Sequence, residues 1–172
     1  MNQNIKWITQ TALCTAFLIV LQLLTSSFGN TLVTGSFVNM VLIISLVMCG
    51  ISTGITVAIV SPVFAKLIGI GPLWSLIPCI VLGNISIILI WYIFANKYKN
   101  DILAWLLGAV TKFFVLYVGV VRFTIPILLK LPEKKAIIIS TAFSIPQLIT
   151  ALIGGGIALI IVPVLKKSRV YG

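Results

Sequence analysis

Two cationic side chains stand in an apolar stretch that contains no acidic residue. The stretch is GAVTKFFVLYVGVVRF, Gly108 to Phe123, with Lys112 near its middle and Arg122 near its end. A lysine or arginine at the centre of a membrane helix costs about 3 kcal/mol unless it faces the protein interior or a wet cavity. These side chains must therefore contact an anionic solute, or reach water, lipid headgroups or free backbone carbonyls.

The chain lacks the residues on which most membrane enzymes and proton-coupled transporters depend. It has no histidine and only two carboxylates, Asp101 and Glu133, both of which are expected in loops. Acid–base catalysis and metal binding therefore have too few groups to work with. No GxxxxGK[ST] motif is present to bind ATP. We expect no enzymatic activity, no metal and no cofactor, and any uphill transport must be powered by another chain.

The composition predicts an all-α integral membrane protein. Of the 172 residues, 60% are hydrophobic and only 8% are charged, and a soluble globule of this size could not bury so much apolar surface. A spanning helix needs about 20 apolar residues. Residues 1–172 are expected to form a single six-transmembrane-helix bundle, with spans at about 6–25, 35–49, 52–70, 73–95, 102–129 and 136–165. Pro126, Pro146 and Pro163 are expected to bend or end the last two spans.

The cations between the spans predict the orientation. With both termini cytoplasmic, the inner segments hold Lys6, Lys97, Lys99, Lys166, Lys167 and Arg169, and the outer segments hold Lys130, Lys134 and Lys135. This bias favours cytoplasmic termini for the multi-pass protein. The net charge of +10 is then explained by contacts with anionic lipid headgroups, and no nucleic-acid partner is expected. Residues 26–36 and 69–75 become outer loops.

The unpaired cations suggest a solute site in the outer half of the bundle. By depth along their helices, Arg122 and Lys66 would contact a carboxylate or electron-rich group of the solute, and Lys112 would lie at the midplane below them. Other candidate lining residues are polar or aromatic: Asn39, Trp74, Asn84, Tyr117 and Gln147. Each also has a structural interpretation, because amides join membrane helices and aromatic rings sit at membrane interfaces.

The first span contains Ala12 and Ala16, which lie four residues apart in TALCTAF and therefore on one helix face. With this pair, its size and its predicted cytoplasmic termini, the chain resembles the substrate-binding S components of energy-coupling factor (ECF) vitamin transporters. The similarity extends to the second to sixth helices through GSFVNMVLII, SPVFAKLIGIGP, GNISIILIW, GAVTKFFVLY and FSIPQLITALIGGG. It covers nearly the whole chain.

The resemblance implies a subunit that captures a vitamin or vitamin precursor from the outside. Ala12 and Ala16 would dock it onto a transmembrane coupling subunit driven by two ATPase subunits. Residues 26–36 would form a lid, and further ligand contacts would come from Lys66, Trp74, Asn84, Arg122 and Gln147. The chain carries no clear signature of riboflavin, thiamine or biotin binders. Its unpaired cations favour an acidic solute, while pyridoxine-like and flavin ligands stay open.

Two other classes of function stay open at this point. A self-contained channel or facilitator for small solutes predicts a continuous polar stripe through several helices. A non-transporting structural membrane protein, whose cations contact lipid headgroups, predicts no saturable binding of a small molecule.

Overall fold

The computed structural model describes residues 3–71 and 73–170, which form helices joined by short connections and contain no strand. The helices are α1 (Gln3–Ser26), α2 (Thr31–Cys49), α3 (Ile51–Leu67), α4 (Ile77–Lys97), α5 (Asp101–Leu116), α6 (Glu133–Ala142) and α7 (Ile145–Val170). A 3-10 turn, Trp74–Leu76, precedes α4, and α5 continues directly as a π-helix, Tyr117–Leu129. Pro72, in a predicted loop, and the side chain of Arg169, a predicted inner cation, lie outside this description.

The described helices confirm a multi-pass membrane protein. Five helical stretches are long and apolar enough to cross a bilayer: Gln3–Ser26, Thr31–Cys49, Trp74–Lys97, Asp101–Leu129 and Glu133–Lys167. The predicted third span corresponds to α3, which is apolar but has only 17 residues. That length is at the lower limit for a bilayer crossing.

Helix α2 lies at the centre of the bundle. It packs against α1, α3, α4 and α7, and α5 packs against α4 and α7. We call the end of the bundle where α1 ends and α2 begins the distal end, and the opposite end the proximal end. The main core is apolar and centred on Leu42, Ile43 and Ile88. A second cluster around Leu76, Leu116 and Val120 packs against residues of α6.

The predicted loop at residues 26–36 is mostly helical, so the prediction of a long lid is wrong. Helix α1 runs to Ser26 and α2 begins at Thr31, leaving only residues 27–30 as a connection. The cause is local, because Asn30 caps α2: its side-chain oxygen accepts a hydrogen bond from the backbone N–H of Leu32 at 2.9 Å. An asparagine at this position satisfies a backbone donor that the helix itself cannot pair.

The predicted sixth helix, 136–165, is two helices. Helix α6 ends at Ala142, and α7 begins at Ile145. Pro146 is the second residue of α7, where its missing N–H costs no helix hydrogen bond. Pro126 and Pro163 lie inside helical stretches and end neither of them.

The two carboxylates also lie elsewhere than expected. Asp101 and Glu133 are the first residues of α5 and α6 instead of loop residues. Negative charge at the start of a helix is favourable because the helix dipole is positive there. Asp101 is far from the membrane-embedded cation Lys112, since it begins the helix eleven residues earlier, about 16 Å away along the axis.

Candidate functional site

A cavity of about 640 Å³ lies at the distal end of the bundle. Its walls come from the end of α1, the first half of α2, the end of α3, the first half of α4, the last turns of α5 and the junction of α6 with α7. The volume is in the range of pockets that hold small organic molecules. No acidic side chain lines it among the described residues.

The floor of the cavity is a lysine held by two amides. Lys112 Nζ donates hydrogen bonds to Asn39 Oδ1 at 2.6 Å and to Asn84 Oδ1 at 2.7 Å. The lysine side chain is only 3% exposed, and both asparagines are buried. The three residues come from α5, α2 and α4, so one ammonium group joins three helices.

The two asparagines are oriented by their own amide N–H groups. Asn39 Nδ2 donates to the carbonyl oxygen of Gly35 at 3.0 Å and to Thr150 Oγ1 at 3.4 Å. Asn84 Nδ2 donates to the carbonyl oxygen of Ala58 at 3.4 Å. Because these N–H groups donate to other acceptors, the oxygen of each amide faces Lys112 and can accept a hydrogen bond from its ammonium group.

Backbone contact between α2 and α7 holds Asn39 in place. Gly154 of α7 lies against α2 so closely that an added Cβ would meet the Ser36 carbonyl oxygen, and would lie 2.7 Å from Asn39 Cβ and 3.0 Å from the Met40 nitrogen. Only a glycine permits this approach. The GGG run of α7 therefore contributes to the position of a floor residue without lining the cavity itself.

Sequence reasoning missed two polar residues of this cavity. Gln22 of α1 and Ser61 of α3 both line it and are buried, at 7% and 1% exposure. Gln22 Oε1 and Ser61 Oγ have no hydrogen-bond partner among the described residues. The signal was available for Gln22, since it is an amide inside an apolar span, the same feature that singled out Asn39 and Asn84.

The side walls are largely apolar, with two of the predicted polar residues among them. Lys66 of α3 and Gln147 of α7 line the cavity and are partly buried. Gln147 Nε2 donates to the carbonyl oxygen of Ala142 at 3.1 Å, which ties the start of α7 to the end of α6. Apolar lining residues include Pro62, Leu76, Ile80, Leu116, Ile139 and Phe143.

Three of the predicted residues, Arg122, Trp74 and Tyr117, do not line the cavity. Arg122 is exposed, and its guanidinium carbon lies 5.7 Å from the centroid of the Tyr117 ring. Trp74 is 55% exposed. The expected pairing of Arg122 with Lys66 was based on depth along regular α-helices, but the chain from Tyr117 to Leu129 is a π-helix, whose wider turns change the direction in which Arg122 lies relative to Lys112.

The predicted docking pair lies on a free face of α1. Ala12 and Ala16 are both exposed, whereas the packed face of α1 carries Thr15, Leu18, Gln22 and Thr25. Large apolar side chains accompany the pair on the exposed side, among them Val20 and Leu23. The face is therefore apolar and shallow at the two alanines.

Comparison with known proteins places the chain in a family. Neither a curated protein nor a solved structure matches it significantly. Residues 6–166 match the family described as "ECF transporter, substrate-specific component", which covers all seven helices apart from the outermost residues of α1 and α7. This is a family of transporter components and not of enzymes. The chain belongs to the substrate-specific components of ECF transporters.

Proposed function

We propose that this chain binds a vitamin or vitamin precursor with high affinity on the outer side of the bacterial cytoplasmic membrane and serves its uptake as the S component of an ECF transporter. The observation that carries the proposal is the distal cavity, which combines a buried ammonium floor with apolar walls. A few fixed polar groups in an apolar pocket are typical of small-molecule sites. Lys66, Asn84, Lys112, Gln147 and Asn39 are the proposed contact residues, together with Gln22 and Ser61.

The proposed orientation places both termini in the cytoplasm and the cavity outside. The cavity lies at the distal end, opposite the start of α1 and the end of α7. Cations cluster at the proximal end in Lys97, Lys99, Lys166 and Lys167, which supports a cytoplasmic location for that end. If α3 also crosses the membrane, together with the five longer helical stretches, the chain forms a single domain with six membrane crossings.

The proposed partners are a transmembrane coupling subunit and two ATPase subunits. The chain has no ATP-binding motif of its own, so accumulation of a solute requires energy from elsewhere. The exposed pair Ala12 and Ala16 is the proposed docking face, because small residues let another helix approach closely.

The geometry favours a binding subunit over a self-contained channel. On α5, the lining residues reach from Leu116 only as deep as Lys112. Directly below, Gly108 and Ala109 of α5 are buried in the packed core, with Ile87 of α4 against Gly108. A cavity with a closed floor can bind a solute from one side of the membrane, but it gives the solute no continuous path through the bundle.

Uptake measurements test the proposal. Cells that express this chain with a coupling subunit and its two ATPases should accumulate a labelled vitamin or precursor, and cells without this chain, or with an ATPase lacking its catalytic glutamate, should not. Entry of the labelled compound down its concentration gradient through this chain alone, at the same initial rate and without ATP, would instead indicate a facilitator. Failure to accumulate any member of a broad vitamin panel would contradict the proposal.

A further inference from the structure

Among the described residues, the ammonium at the floor of the cavity has only neutral hydrogen-bond partners. Lys112 has three N–H donors, and two of them are taken by the amide oxygens of Asn39 and Asn84. An amide oxygen accepts a hydrogen bond but does not cancel the charge. The only carboxylates of the chain, Asp101 and Glu133, stand at the first turns of α5 and α6 and do not line the cavity. The floor therefore offers an uncompensated positive charge and one N–H to a ligand.

A second cation lies on the wall of the same cavity. Lys66 is partly buried and comes from the last turn of α3, five residues after Ser61. Two cations and no carboxylate give the whole cavity a positive potential. Such a potential favours anionic ligands and disfavours cationic ones by like-charge repulsion.

Two buried polar atoms in the cavity wall can accept a hydrogen bond, so they favour a ligand group that donates one. Gln22 Oε1 can only accept a hydrogen bond, and Ser61 Oγ can accept one or donate one. Neither atom has a partner among the residues described. A buried polar group without a partner costs about 1–3 kcal/mol, so a ligand that supplies a donor recovers that cost.

We infer that the cavity selects a small organic acid that also carries a hydroxyl or N–H donor, with the acid group on Lys112 and the donor toward Gln22 and Ser61. The inference rests on the proposed function and narrows it to one chemical class. The apolar walls formed by Pro62, Leu76 and Leu116 would enclose the carbon skeleton between the two polar ends.

A competition between matched acids and alcohols tests the charge requirement. The purified full-length chain in detergent is immobilised and equilibrated with an equimolar mixture of four acids and the four primary alcohols that replace their carboxylates: pantothenate and panthenol, biotin and biotinol, nicotinate and 3-pyridylmethanol, 4-pyridoxate and pyridoxine. Retained compounds are quantified by mass spectrometry. A charge-assisted hydrogen bond predicts that at least one acid is retained about 10- to 100-fold better than its alcohol.

The Lys112→Met variant separates recognition of charge from support of the fold. If Lys112 contacts the acid, the ratio of acid to alcohol retained should fall to about one in the variant, whatever happens to total retention. If Lys112 only supports the fold, both members of the pair should be lost equally and the ratio should persist. Lys167→Met, an exposed lysine at the proximal end, is the matched control and should keep the wild-type ratio.

The Gln22→Met variant tests whether the ligand donates a hydrogen bond to Gln22. This test does not depend on whether the Lys112→Met variant folds. Loss of a neutral hydrogen bond should lower retention of the preferred acid about 3- to 10-fold. Gln10→Met, on the same helix but outside the cavity, should change nothing. Unchanged retention in Gln22→Met would overturn the donor requirement.

The outcomes distinguish this inference from the proposed function. Equal retention of acid and alcohol in every pair that is retained, or an unchanged ratio in Lys112→Met, would overturn the inference while leaving a vitamin-binding subunit in place. Retention of none of the eight compounds would overturn the inference and the proposed vitamin substrate together.

Discussion

Lys112 Nζ lies 2.6 Å from Asn39 Oδ1, a hydrogen bond that joins α5 to α2 across 73 residues of sequence. A second bond, to Asn84 Oδ1 at 2.7 Å, adds α4 to the same junction. The group that offers the cavity its positive charge is therefore also a junction of three helices. Substitutions at this junction should affect both ligand binding and stability, and the two effects need separate measurements.

Removing one amide of the junction should destabilise the fold. Asn84→Ala leaves Lys112 with a single acceptor, and loss of a hydrogen bond to a charged group should lower the free energy of unfolding by about 1.5–3 kcal/mol. Chemical or thermal unfolding of the purified chain in detergent measures the change. Asn96→Ala, an exposed position on the same helix, serves as the control and should have little effect.

A double-mutant cycle tests whether the two residues act through each other. The combination of Asn84→Ala with Lys112→Met should cost less than the sum of the single changes, because the same bond is removed only once. Strict additivity of the two losses would show that Lys112 and Asn84 are not coupled.

The close approach of α2 and α7 should be lost when Gly154 gains a side chain. An added Cβ meets backbone atoms of α2, which cannot rotate away, so Gly154→Ala should destabilise the chain by about 1–3 kcal/mol through overpacking. Gly156→Ala is the matched control, since its Cβ would lie 3.5 Å from Trp105 Cζ2, an ordinary contact. Equal unfolding temperatures for the two variants would argue against the packing of α2 on α7 described above.

Bulky side chains on the free face of α1 should block assembly and leave solute binding intact. Ala12→Trp and Ala16→Trp should reduce co-purification with the coupling subunit at least tenfold, because the partner helix can no longer approach closely. Val118→Trp, at another exposed position, controls for a large aromatic residue facing lipid. Normal co-purification of Ala12→Trp and Ala16→Trp with the coupling subunit would show that the docking face lies elsewhere.

Packing of α1 against α2 predicts a specific cross-link. The sulfur atoms of Cys14 and Cys49 lie 3.9 Å apart and are both free, so a membrane-permeant oxidant should join them after a movement of roughly 2 Å. Peptide mapping by mass spectrometry should find Cys14 linked to Cys49 and Cys79 still reduced. A link from Cys14 to Cys79 would be incompatible with the arrangement of α1, α2 and α4.

The sequence was most informative where it placed polar residues inside apolar spans. Lys112, Asn39, Asn84, Gln147 and Lys66 were each selected for that reason, and all line one cavity. The hydrogen bonds of Lys112 to the two asparagines could not be predicted, because pairs 73 and 28 residues apart depend on the order in which the helices pack.

The errors arose where local backbone geometry departed from a regular α-helix. Arg122 was placed by α-helical rise alone, whereas the chain after Leu116 is a π-helix and Arg122 is exposed. The segment after Ser26 was interpreted as an outer loop because it is polar, and the family resemblance implied that this loop is a lid, yet Asn30 caps a helix that incorporates most of it. The break at Phe143 and Ser144, in contrast, was indicated in the sequence, because it lies directly before Pro146, one of the prolines expected to bend or end the span.

Native mass spectrometry of the intact chain tests the central claim, that the distal cavity holds a small organic molecule. Three forms of the chain are purified from membranes: the wild type, Ala142→Trp and Val118→Trp. Ala142 lines the cavity, so a tryptophan there would occupy part of its volume, whereas Val118 is exposed. We predict that wild type and Val118→Trp carry the same small-molecule adduct and that Ala142→Trp does not. An adduct that persists in a folded Ala142→Trp protein, or its absence from the wild type even after incubation with a vitamin mixture, would contradict the claim.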